Sequence, residues 1–132
     1  MLEHIEDDEA VLRHCARLLK HGAWCVAFVP AGQWLYSTFD RNIGHFRRYG
    51  AKDRSRLDSI ESEGARLALR EFRHVNLPGA FGWYIKMRLL GATSVNRRDA
   101  AIVGRLLPVI EAIDRLRLPF GQSAVMIWQR CA

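Results

Sequence analysis

Residues 24–29 are apolar without interruption, and Pro30 closes the run. A stretch this short and this apolar reads as a strand covered on both faces, as parallel strands in α/β sheets are. The preceding segment supplies the helix such a strand needs. Asp7 or Asp8 can cap a helix running to about Leu19, with acids in its first turn and Arg17 and Lys20 near its end. Both placements suit the helix dipole. Leu12, Cys15, Leu18 and Leu19, with Val11 nearby, form its apolar stripe, and Gly22 is placed to stop it.

Farther along, residues 33–49 mix aromatic and basic side chains and read as helical or irregular. A polar helix is expected over residues 52–63, stopped by Gly64. Residues 66–75 alternate enough for a strand, with Leu67, Leu69 and Phe72 as candidates for its buried side. Asn76-Leu77-Pro78-Gly79 breaks the chain, and residues 81–90 resume as a short apolar helix. Ile102, Leu106, Val109, Ile113 and Leu116 recur at helical spacing, predicting a helix over residues 100–116 with a kink at Pro108. A turn at Pro119-Phe120-Gly121 leads to a last strand over residues 123–129. This order of strands and helices is an α/β pattern.

With 49% hydrophobic and 26% charged residues in 132, the chain reads as one globular domain. The first nine residues carry five acids and no Lys or Arg, unlike the basic, then apolar start of a secretion signal. The longest stretch without charge or histidine, residues 22–39, contains Pro30, two glycines and polar side chains, so a membrane span is not expected. A cytoplasmic location follows by default. Cys15, Cys25 and Cys131 have no metal spacing and read as buried or incidental thiols. His4, His14, His21, His45 and His74 form no ligand pair at helical spacing, so no metal site is expected.

The net charge of +6 is concentrated between Arg41 and Arg56, where Asp53 is the only acid, and through Lys86, Arg88, Arg97, Arg98 and Arg105. Such patches suit an acidic small-molecule substrate, an anionic membrane surface or nucleic acid. Without a helix-turn-helix signature, zinc spacing or aromatic RNA-binding motif, no nucleic-acid partner is expected.

Leu2-Glu3-His4-Ile5, followed by Asp7-Asp8, Leu18-Leu19-Lys20, Gly22 and Val29-Pro30, resembles the second half of a class I S-adenosylmethionine-dependent methyltransferase, joined at the end of its fourth strand. Gly44-His45-Phe46-Arg47-Arg48-Tyr49 resembles a Gly-His-x-Arg-Arg-Tyr segment in one branch of that family. The resemblance spans residues 2–130. It implies the carboxyl-terminal part of a Rossmann-like sheet: the end of strand four, then strands five, six and seven, the last antiparallel, with helical lid insertions. One partial domain over residues 1–132 is implied, with a lid and substrate segment at 33–50 and a helical insertion at 77–118. Met1, standing where the family often has valine, points to an internal GTG codon read as a start.

By the same resemblance, Glu3 and His4 border the cofactor cleft at the carboxyl end of a strand, or else only organise the following helix start. His45 is a base or a polar contact. Arg47 and Arg48 grip a carboxylate or phosphate, and Trp34, Tyr36 and Tyr49 belong to the substrate wall. The alternative is a lid whose arginines pair with Asp40 or water, whose Tyr49 packs, and whose Trp34, Tyr36 and Phe39 are largely core. Residues 81–89 are either a basic amphipathic surface helix or packed against the 100–116 helix.

The family holds S-adenosylmethionine on a glycine-rich turn, and this chain contains no Gly-x-Gly. The implied role is a fragment that lacks the cofactor pocket and is inactive alone. The rival reading is a non-enzymatic module that forms a homo-oligomer through an exposed sheet edge or docks on a separate amino-terminal subunit.

Overall fold

The structure is a computed structural model and describes residues 1–131. It is α/β, with one four-stranded antiparallel sheet. Helix α1 spans Asp8–Leu18, and the Asp7 carboxylate caps it by accepting from Ala10 N–H at 2.9 Å. Gly22, at φ +80°, turns the chain into strand β1, Trp24–Pro30. Two short helices follow, α2 at Thr38–Asn42 and α3 at Ala51–Arg56. Strands β2, Ser59–Ser62, and β3, Ala65–Val75, form a hairpin. Helix α4, Leu77–Trp83, continues into a π-helical stretch at Tyr84–Leu89. Helix α5, Arg97–Asp114, runs through Pro108, and strand β4, Ser123–Arg130, completes the sheet.

The sheet order is β1-β4-β3-β2, so the last strand lies between the first and third. One face is covered by α1, whose Leu12 and Ala16 are fully buried against Leu67, Met126 and Trp128. Leu18, assigned to the apolar stripe, instead faces solvent. Strand β3 carries a bulge between Leu69 and Glu71. One extra residue reverses the inward parity, so Leu67, Leu69 and Phe72 all pack toward the core despite their uneven spacing.

Four expectations are corrected. Leu2–His4 is a 3-10 turn, not a strand end. The polar helix expected over 52–63 stops at Arg56 and gives way to β2. A two-residue turn closes the β2–β3 hairpin with Glu63 at φ +45° and Gly64 at φ +77°. Positive φ at both positions matches the right-handed twist of paired strands.

Strand β1 is not covered on both faces: Trp24, Val26 and Phe28 are 54%, 63% and 66% exposed. It is an edge strand, paired only with β4, and its outer face has no helix over it among the described residues. The periodic stripe of α5 is likewise largely outside. Ile102, Leu106 and Val109 are exposed, as is Leu116 just beyond the helix end, and Ile110 is the residue it buries. No helix among the described residues is long and apolar enough to cross a membrane.

Candidate functional site

The segment from His45 to Tyr49 is clamped beside the carboxyl end of β1. Tyr49 N–H donates to Pro30 C=O and Gly32 N–H to Tyr49 C=O, each at 2.9 Å, in a parallel bridge between Ala31 and Tyr49. At its other end, Phe46 N–H donates to Glu3 C=O at 2.8 Å, and the Tyr36 hydroxyl donates to His45 C=O at 2.6 Å. These bonds bring the 3-10 turn carrying Glu3 and His4 against His45. The two imidazoles meet edge to face with centroids 4.6 Å apart.

Asp40 organises this end of the molecule. It is fully buried at the start of α2, and its Oδ2 accepts from the Ser37 backbone and hydroxyl, each at 3.0 Å. Its Oδ1 accepts from Arg48 Nε at 2.8 Å and faces His45 Nδ1 at 3.0 Å. Burial opposes the charge on Asp40, but Arg48, His45 and the Ser37 N–H hold its carboxyl below the ordinary 3.8. An ionised carboxylate only accepts, so the proton of a neutral His45 ring sits on Nδ1 and the Nε2 lone pair faces Glu3. Burial also works against the charge on Glu3. The Met1 amino group 2.7 Å from Oε2, together with Glu3's own N–H and His45, holds this carboxyl below its ordinary 4.5.

Arg48 and Tyr49 are buried within the fold. The Arg48 guanidinium is 3% exposed, bonded to Asp40 and Ala31 C=O, and lies 4.7 Å over the Trp83 ring. The Tyr49 hydroxyl donates to Asp8 at 2.9 Å inside the core. Both side chains are buried and turned to partners inside the fold rather than to a surface cleft. The alternative reading, in which an arginine pairs with Asp40 and Tyr49 packs, describes both residues. Arg47 bonds Glu6 C=O and lies 3.3 Å from Asp8, and Trp34 is exposed beside Tyr84. Glu3, His4, His45 and, through its hydroxyl, Tyr36 are the expected site residues that the fold brings together.

Asp8 plays a part its sequence position hides. It lies in the first turn of α1 but is 1% exposed, and Arg56 grips both of its oxygens at 2.6 and 2.8 Å. Burial opposes its charge; Arg56, Tyr49 and Arg47 overcome that and keep its carboxyl below 3.8. The pair joins α1, α3 and the 47–49 segment. Its only sequence signal was an acid on the inward face of an amphipathic helix.

Beyond Trp83 lies an apolar groove of about 710 Å³ between the α4/π-helical stretch and α5, lined by Met87, Ile102, Leu106 and Ile110, with a Lys86–Asp99 ion pair at its wall. Trp83 lines this groove, donates to Leu35 C=O at 3.2 Å and supports Arg48 from beneath. The three cysteines are unpaired, and burial, with Cys15 alongside, pushes the Cys25 thiol up to about 11. Comparison with protein-family models, curated proteins and solved structures found no match.

Proposed function

We propose that this chain is the carboxyl-terminal part of a class I S-adenosylmethionine-dependent methyltransferase, supplying lid and substrate wall without the cofactor pocket. The observation that carries the reading is the placement of Glu3, His4 and His45 together past the carboxyl end of β1. Open α/β sheets bind ligands at that end. The strand order adds support, since β4 inserts antiparallel between β1 and β3, as the family's last strand does. The groove beside Trp83 suits an apolar part of an acceptor. His45 is then a base or polar contact, with Asp40 positioning its ring.

Methyl transfer needs a tightly held donor aligned with its acceptor. With no glycine-rich turn, the purified chain is expected to show no micromolar binding of S-adenosylmethionine by calorimetry. One-site micromolar binding would overturn the fragment reading.

A second reading, a non-enzymatic module, is favoured by the bare face of β1. Trp24, Val26 and Phe28 continue into Val125 and Ile127 of β4, with which Phe28 and Val26 are paired. An exposed apolar face with an unpaired strand edge associates. The wild-type chain is expected to elute from size exclusion as a dimer or larger species, and Val26→Lys to shift it toward monomer. A wild-type monomer at all concentrations argues against edge pairing.

A further inference from the structure

Glu3 Oε1 lies 3.8 Å from His4 Nε2 and 3.8 Å from His45 Nε2, and the donor atoms of all three residues fall within 4.8 Å of one another. At 3.8 Å neither contact is a hydrogen bond. A carboxylate oxygen aimed between two imidazole nitrogens, without bonding either, is an arrangement that a cation between them would complete. Bonds of about 2.0–2.1 Å to zinc place tetrahedral ligands about 3.3 Å apart, so closure asks for shifts of about half an ångström at the two Glu3 contacts and up to about 1.5 Å between the imidazoles.

The surroundings are those of a ligand set. Asp40 Oδ1, 3.0 Å from His45 Nδ1, fixes the ring with Nε2 inward, and Asp40 is itself held by Arg48 and Ser37. A carboxylate behind a ligating histidine is the usual outer support of a metal ligand. Glu3 and His45 are about nine-tenths buried, whereas the His4 side chain is 44% exposed, which leaves one side open to water or an oxygen ligand.

We propose that Glu3, His4 and His45 form a divalent-cation site of the zinc type, with three protein ligands and an open position, and with Asp40 as the positioning residue. Two imidazole nitrogens and one carboxylate oxygen suit zinc and its first-row neighbours better than calcium or magnesium. Spacing along the chain gave no hint, because forty residues separate His45 from the other two. The site does not depend on the methyltransferase reading, and metal binding is measured without cofactor or acceptor.

The test uses the tag-free full chain, stripped with chelator and titrated with Zn²⁺ by calorimetry and with Co²⁺ by visible spectroscopy. One equivalent is expected to bind, with Co²⁺ bands free of thiolate charge transfer. His4→Ala, at a half-exposed ring, and Glu3→Gln are each expected to weaken binding at least about tenfold. His21→Ala, at an exposed ring bonded to Cys131 C=O, is expected to leave it unchanged. Circular dichroism identifies any variant that fails to fold, and the other then decides. Absence of stoichiometric binding would overturn the site, and so would the presence of thiolate bands or retention of full affinity in a folded His4→Ala or Glu3→Gln variant.

Discussion

Trp128→Ala is expected to lower stability by about 3–5 kcal/mol. Trp128 is the largest fully buried side chain among the described residues and lies in β4, the strand that pairs with both β1 and β3. Its Nε1–H donates to Leu57 C=O at 2.9 Å, tying the sheet to the end of α3. Truncation leaves a cavity between the sheet and α1 and a buried carbonyl without its donor. Against a total of about 5–15 kcal/mol for a domain, that loss is a large fraction. In urea unfolding the midpoint is expected to fall steeply, or the cooperative transition to vanish. Trp24→Ala, at an exposed ring on the bare sheet face, is expected to stay within about 0.5 kcal/mol. Equal effects of the two substitutions would refute this account of the core.

Asp40→Ala is expected to cost about 3 kcal/mol or more, because it strands the buried Arg48 guanidinium and removes the acceptor for Ser37. Asp40→Leu combined with Arg48→Met is expected to recover part of that loss, since it removes both charges together. The pH dependence gives an independent check. Asp40 and Asp8 have folded-state carboxyl values below the ordinary 3.8, so the unfolded chain binds protons more readily than the folded one. Their contribution is present above about pH 5 and is lost as pH falls through the lowered values. In Asp40→Ala the slope of stability against pH in that acid range should be shallower. An unchanged slope would mean that Asp40 is not ionised in the fold.

Local order was legible where its causes are local. The start of α1 is legible as an acid cap at Asp7 or Asp8, β1 and β4 as apolar runs bounded by Gly or Pro, and β3 as an alternating stretch. Strand β2 was hidden because Ser59–Ser62 is polar and its hairpin turns on a positive φ at Glu63, which composition does not announce. Periodicity failed differently in α5. It identified a helix correctly, but a stripe of apolar residues says nothing about what covers it.

The candidate site was legible as residues and not as an arrangement. Glu3, His4 and His45 were each singled out, but their convergence depends on backbone bonds from Phe46 to Glu3 and from Tyr49 to Pro30. Arg47, Arg48 and Tyr49 look alike from the sequence as possible ligand contacts. Burial separates them: Arg48 and Tyr49 are held inside by Asp40 and Asp8, and Arg47 stays partly exposed beside Asp8.

The sequence by itself determined the α/β class, the ends of α1 and the positions of three strands, because caps, breakers and apolar runs act over a few residues. Only the tertiary structure decided that β4 lies between β1 and β3, that one face of β1 is bare, and that Asp40 binds Arg48 behind a Glu3–His4–His45 cluster. Those outcomes depend on which distant segments meet and which charges lose water together, and neither is written in the spacing of residues along one element.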